Sequence, residues 1–274
     1  MSQLEKNIKE FYDVDGKDYK YRRWERNPIM KFDYQCTKYA IEQALEYVSG
    51  KSVLEIGPGP GTWTEFLVKK FEHVEAVEIS ATMIEQAKQS AALQNVVFNH
   101  TNFSDFESDK EFDVIISVRS FEYFDDKEEF IEKAYDLLKP NGFLIILTKT
   151  SRSYWFGRTK IRTVLQKITP FLFKYEAENL SKESKEKITL FKQKRVYPSK
   201  LKQLYKDADI EHKYHFPVIV RPPIFMRGKT EVPFVPPMLE KPVLFVFTLF
   251  DKVVRMLPFA SFFAEGFIMV GRKS

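Results

Sequence analysis

Glycine stands at every second position of Gly57-Pro58-Gly59-Pro60-Gly61, directly behind Glu55-Ile56. The short apolar run Ser52-Val53-Leu54 ahead of it reads as a buried strand, and Trp63 to Phe71 behind it reads as a helix. Strand, glycine-rich turn and helix make a corner suited to a nucleotide. Glycine lets the backbone approach a ligand closely, and the helix start offers unpaired N–H groups and the positive end of its dipole. The spacing is Gly-x-Gly-x-Gly, which differs from the Gly-x-Gly-x-x-Gly of dinucleotide sites. One such turn is weak by itself, and the strands and helices downstream of it supply the constraint.

Val74 to Ile79 makes a second corner. It reads as the next strand, ending in Glu78, and a carboxylate at that tip can accept hydrogen bonds from both ribose hydroxyls. Ser80 then caps a helix over Ala81 to Ala92, and a third strand, Asn95 to Asn99, leads into Asn102-Phe103-Ser104-Asp105. Phe112 to Ser117 is an apolar strand of the kind buried on both faces. A helix over Lys127 to Leu138 and the turn Lys139-Pro140-Asn141-Gly142 precede a fifth strand, Phe143 to Leu147. This alternation predicts an α/β fold with a doubly wound, mostly parallel sheet.

In register, these pieces resemble the core of class I S-adenosylmethionine-dependent methyltransferases, over residues of about 48 to 150. The matching segments are Glu55 to Gly61, the strand-two acid in Val77-Glu78-Ile79-Ser80 with Met83 after it, Phe112 to Ile115, and Leu137 to Phe143. The resemblance implies a Rossmann-like seven-stranded sheet with an antiparallel last strand, and S-adenosyl-L-methionine as cofactor. It assigns Glu55, Gly57, Gly59 and Gly61 to the methionine portion, Glu78 to the ribose diol and Ile79 to one adenine face. Asn102 and Phe103 fall at the adenine end. Asn102 reads equally as a turn residue bonding its own backbone, and Met83 as a core filler.

The loop after strand four, Val118 to Asp125, is where an acceptor would be activated. It resembles the Glu-His loop of the ubiquinone-type O-methyltransferases, with Tyr123 where the histidine would stand, which removes the obvious imidazole base and weakens the case for a metal. Glu122 remains a candidate base or a plain helix-start acid. Arg119 is a candidate for holding an anionic acceptor group or for pairing with an acid. Arg119, Glu122 and Tyr123 are therefore the catalytic candidates. His73, His100, His212 and His215 sit in or beside strands and read as structural.

Residues 1–47 read as a helical lid segment, with a helix over Met1 to Phe11 and an aromatic and arginine-rich stretch from Tyr19 to Arg26. Residues 48–274 read as the methyltransferase domain, interrupted twice. The insertion at 151–195 is basic and aromatic, with an amphipathic helix expected over 160–174 and a charged, solvated run at 182–187. The helix closing with Ala208-Asp209-Ile210 leads into strand six, Ile210 to Phe216, and Phe267 to Gly271 is its antiparallel partner. The insertion at 217–264 between them is far beyond an ordinary loop. Its second half, Val243 to Leu257, is apolar on nearly every face and predicts a helix buried in protein, in a dimer partner or in lipid.

Cys36 is the lone cysteine, which excludes an intrachain disulfide and suits a reducing, cytoplasmic compartment. The first twenty residues lack the apolar core of a signal peptide. No clustered Cys/His spacing suggests zinc. The net charge of +5 is concentrated in the first insertion and suits an anionic membrane surface, a phosphorylated lipid or RNA. No nucleic-acid module and no Asn/Asp-Pro-Pro-Tyr/Phe signature are present, so nucleic acid ranks behind a small-molecule or lipid-linked methyl acceptor. Oxygen is the favoured atom. The alternatives are an RNA methyltransferase and a non-catalytic cofactor-binding subunit; peripheral membrane contact and a homodimer stay open.

Overall fold

The computed structural model describes residues 2–16, 18–151, 175–177, 193–220, 231–257, 260 and 264–274. Seven described strands form one sheet: β1 Ser52–Ile56, β2 His73–Glu78, β3 Val97–His100, β4 Phe112–Val118, β5 Leu138–Lys149, β7 Ile210–Val220 and β9 Ala264–Lys273. Their order is β3-β2-β1-β4-β5-β9-β7. β1 to β5 pair in parallel, and β9 runs antiparallel between β5 and β7. The expected doubly wound sheet with its antiparallel last strand is what forms. A separate pair, β6 Tyr175–Ala177 and β8 Glu231–Pro233, joins the two insertions.

Both faces of the sheet are covered because successive residues of the apolar strands point to opposite sides. Val53, Ile145 and Leu147 enter one core with the helix α2 Pro28–Glu46, while Leu54, Leu144 and Ile146 enter the other with α5 Lys127–Asp136 and α6 Pro198–Asp207. Helix starts follow their caps. Ser2 and Glu5 form a capping box on α1 Gln3–Asp15, Asn27 accepts from Ile29 and Met30 ahead of α2, and Ser80 accepts from Met83 at α4 Ala81–Lys88.

Several expectations change. The helix expected over Trp63 to Phe71 is only α3 Thr64–Leu67, tightened at its end by three-residue bonds from Lys69 to Phe66 and from Lys70 to Leu67. The one expected over Ala81 to Ala92 stops at Lys88, and a 3₁₀ turn, Ala91–Leu93, comes after it. The amino-terminal 47 residues divide in two. α1 and the π-helical turn Tyr21–Glu25 lie over a cavity at the carboxyl edge of the parallel strands, whereas α2 is core, with Ala40, Ile41 and Ala44 fully buried.

The apolar helix of the second insertion is α7 Glu240–Arg255. Its expected burial is only partial. Phe247 packs edge-on against Phe32 of α2 and Val254 is also buried, while Phe245 is 69% and Leu249 50% exposed. The expected basic helix over 160–174 and the charged run at 182–187 lie outside the described residues. Among the described residues no helix is long and apolar enough to cross a membrane.

Candidate active site

The carboxyl ends of β1, β2 and β4 open into one cavity of about 950 Å³, mouth included. Its floor is the turn after β1. Gly57 has φ +71° and donates to the Val77 carbonyl at 2.9 Å; a side chain there would strike Ser120, whose Cβ lies 2.5 Å from a built Cβ. Gly59 has φ +57° and open space where its Cβ would be, which makes it a cradle for a ligand. Both glycines line the cavity.

Glu78 ends β2 beside that turn. Its carboxylate accepts from the Gly59 N–H at 3.0 Å and the Ser80 N–H at 2.9 Å, so two backbone donors hold it in one orientation. It is 7% exposed, and burial raises its pKa in spite of those bonds. Ile79, Met83, Asn102 and Phe103 continue this wall. Asn102 is already engaged: its amide donates to Asp105 at 2.6 Å and its oxygen accepts from the Asp105 N–H at 2.7 Å. The turn role is thus real, and Asn102 also faces the cavity.

Two residues assigned to the cofactor stand behind the wall. A Cβ at Gly61 would lie 2.4 Å from Leu93, so this glycine allows the turn to pack on the 3₁₀ segment. Glu55 is fully buried; its Oε2 accepts from the Thr64 hydroxyl at 2.6 Å, and its Oε1 has no partner among the described residues. Burial pushes its pKa up to about 7, with Thr64 opposing and Glu78 adding a little. A buried carboxylate with one idle oxygen is what a ligand cation would complete.

On the other side of the glycine turn, β4 ends at Val118, and the next residue, Arg119, adopts φ +63° and donates its N–H to the Leu147 carbonyl at 2.8 Å. Arg119, Ser120 and Tyr123 line the cavity. Glu122 does not: it is 1% exposed, accepts from Thr148 at 3.0 Å and sits 3.9 Å from the Arg119 Nε. Tyr123 accepts from the Tyr12 hydroxyl at 2.8 Å and from the Gln193 amide at 2.9 Å. Burial first and Glu122 second push its phenol up to about 12. No histidine lines the cavity, and among the described residues no group of three or more His, Cys, Asp or Glu is placed to hold a metal.

The rest of the wall is mostly apolar and aromatic, with Glu5, Thr62 and Thr101 among it. Ile8 and Tyr12 of α1, Tyr19, Trp24 and Trp63 close it over the glycine turn, with the Trp24 and Trp63 rings 5.1 Å apart. Tyr12, Ile8, Trp63 and Ser120 had no sequence signal of their own. α1 is anchored there by Asp13, which accepts from the Ser80 hydroxyl at 2.7 Å.

Residues 53–142 match a family described as a methyltransferase domain. These residues carry a methyltransferase domain. The chain is 35% identical over 99 residues to a malonyl-[acyl-carrier protein] O-methyltransferase of Priestia megaterium, covering 35% of this chain and 36% of the relative. It is 31% identical over 127 residues to a ubiquinone biosynthesis O-methyltransferase of Rickettsia typhi, covering 44% and 52%. The matched region therefore spans about half or less of these relatives. The fold of the methyltransferase domain also matches a magnesium protoporphyrin IX methyltransferase of Synechocystis solved with S-adenosylmethionine bound, with a TM-score of 0.59 at 11% identity over 100% of this chain and 99% of that one. S-adenosylmethionine is the cofactor of the class, and the site fits it: an idle buried carboxylate oxygen at Glu55, an open cradle at Gly59 and a fixed acid at Glu78.

Proposed function

We propose that this protein transfers a methyl group from S-adenosylmethionine to a small-molecule or lipid-linked acceptor, at oxygen. The observation that carries this reading is the single cavity that joins the Gly57–Gly59 turn and the backbone-held Glu78 to an aromatic compartment under α1. Glu78 would hold the ribose diol, Ile79 and Phe103 the adenine, and the Gly57–Gly59 backbone the methionine portion, with the idle Oε1 of Glu55 behind it. Bound there, the cofactor supplies an activated methyl group, so the chain's own work is to position the acceptor and exclude water. Tyr12, Tyr19, Trp24 and Trp63 make the dry wall for that. The relatives named O-methyltransferases support oxygen as the acceptor atom.

A second feature bears on where the acceptor is met. Phe245, Val246, Leu249 and Val253 of α7, with Met256 just beyond it, are about half exposed or more, and Lys241 and Lys252 are exposed on the same helix. An apolar ridge with cationic neighbours suits contact with an anionic membrane surface. The test of the activity is transfer of labelled methyl from S-adenosylmethionine into a lipid extract and into the aqueous metabolite pool. Label in either, dependent on Glu78, is the expected result; no transfer to any fraction would refute the reading.

A further inference from the structure

Arg119 and Glu78 flank the glycine turn from opposite sides. Strand order puts β4 and β2 on either side of β1, so the two residues stand about 10 Å apart by ordinary strand spacing. Glu78 marks the ribose side, which leaves Arg119 on the acceptor side. The Arg119 side chain is 10% exposed, and its Nη1 is buried with no hydrogen-bond partner among the described residues. Glu122 pairs with Arg119 loosely, its Oε1 3.9 Å from Nε, while Thr148 holds the other oxygen, Oε2. A buried guanidinium with an idle donor is costly unless something fills it.

Arg119 is not alone. Lys149, at the end of β5, is half-buried and donates to Gln193 at 3.1 Å. Its ammonium is held well below the ordinary lysine value by burial first and by Arg119 next, with Arg23 and Arg195 adding to the same effect against Glu122. Arg23 lies over the Trp24 ring at 4.1 Å, and Trp24 is cavity wall. Arg119 and Arg23 thus put positive charge beside the cavity, and an anion bound there would draw a proton back onto Lys149. Such a field attracts an anion and repels a protonated amine.

The acids in and beside this wall are engaged: Glu5 accepts from the Ser2 N–H in the capping box of α1, Glu78 is held by the Gly59 and Ser80 N–H groups, and Glu122, behind the wall, is buried and bonded by Thr148. Tyr123 holds its proton up to about 12, and no imidazole lines the cavity. An alcohol or phenol acceptor needs its proton removed before or during transfer. A carboxylic acid has lost its proton at neutral pH, since its ordinary pKa is about 4.

Resting on the methyltransferase reading, we propose that the acceptor is a carboxylate seated on Arg119 with Lys149 behind it, and that the product is a methyl ester. A carboxylate oxygen donates the electron pair of the new O–CH3 bond, the pair of the broken C–S bond stays on sulfur, and the two opposite charges cancel with no proton moved. This gives Arg119 a binding role and removes the need for a general base.

The test uses an acyl chain sized for the aromatic compartment and varies only its head: octanoate, octanol and octylamine, each titrated into the full-length protein with Trp24 and Trp63 fluorescence as the readout. Octanoate binding at least tenfold tighter than octanol, with octylamine weakest, is expected. Arg119→Gln should lose that preference while its S-adenosylhomocysteine affinity stays within about threefold of the parent, and Arg119→Lys should fall between. Octanol binding as tightly as octanoate would overturn the proposal without any variant. So would an Arg119→Gln protein that still prefers octanoate. Failure of the parent protein to bind S-adenosylhomocysteine would instead strike the methyltransferase reading, and the octanoate arm would still report on Arg119.

Discussion

Replacing Glu55 with glutamine should flatten the pH dependence of stability and at the same time weaken cofactor binding. The folded protein holds this carboxyl at about 7, against 4.5 for the free side chain, because the group is fully buried and one oxygen has no partner. Between those two values the folded chain keeps a proton that the unfolded chain has released. Folding therefore takes up a proton, and stability falls as pH rises across the window. A gap of that size corresponds to about 3 kcal/mol by the time the group is ionised in both states. Glutamine can still accept from the Thr64 hydroxyl but leaves an unpaired amide in place of Oε1, at a cost of about 1–3 kcal/mol that does not depend on pH. Urea unfolding of both proteins at intervals from about pH 5 to about pH 8 should show the variant gaining on the parent by about 3 kcal/mol across the range. Adding saturating S-adenosylhomocysteine should remove most of the parent's slope, since a ligand cation at Oε1 favours the ionised form. Parallel curves for parent and variant would refute the claim that Glu55 is a poised, partnerless acid.

The glycine turn and the exposed helix give two further expected outcomes. Gly59→Ala meets no atom within 4 Å, so its stability cost is the left-handed backbone alone, about 1–2 kcal/mol, yet the added methyl enters the cradle and should cut cofactor affinity more than tenfold. Gly57→Ala drives a methyl into Ser120 and should destabilise the fold further; equal loss of stability in the two variants, by denaturant unfolding, would contradict this assignment. Liposomes carrying anionic lipid should co-sediment the protein at low salt, and Phe245→Ser with Leu249→Ser should abolish it; no co-sedimentation of the parent would end the membrane reading.

The sheet is legible in the sequence because each of its strands is an apolar run between turn signals, and the order of glycine turn, strand-two acid and Leu-Lys-Pro-Asn-Gly turn places the strands in register. Glu78 is legible for the same reason: a strand tip has a fixed position relative to its neighbour. Glu55 and Gly61 are harder, since a motif shows which residues surround a turn but not which of them face inward. Glu55 points beneath the cavity to Thr64, and Gly61 faces Leu93. Glu122 is the same problem at the end of β4, where the residue after a tight 3₁₀ start turns to Thr148 instead of the cavity. Tyr12 and Trp63 come from separate elements whose meeting depends on tertiary packing, which no local pattern encodes. α7 is buried on one side only, with Phe247 against Phe32 of α2 and Val254 clustered with Val220 of β7; composition that is apolar on nearly every face does not encode which face the fold covers and which it leaves for a partner or lipid.

Calorimetric titration of S-adenosylmethionine and S-adenosylhomocysteine into the parent protein and Glu78→Ala, with NAD and ATP as controls, tests the central claim most directly. Micromolar binding of the two methionine compounds alone is expected, weakened in Glu78→Ala by about 1.5–3 kcal/mol, or roughly tenfold to a hundredfold. Absence of binding, preference for NAD or ATP, or an unchanged affinity in Glu78→Ala would contradict it.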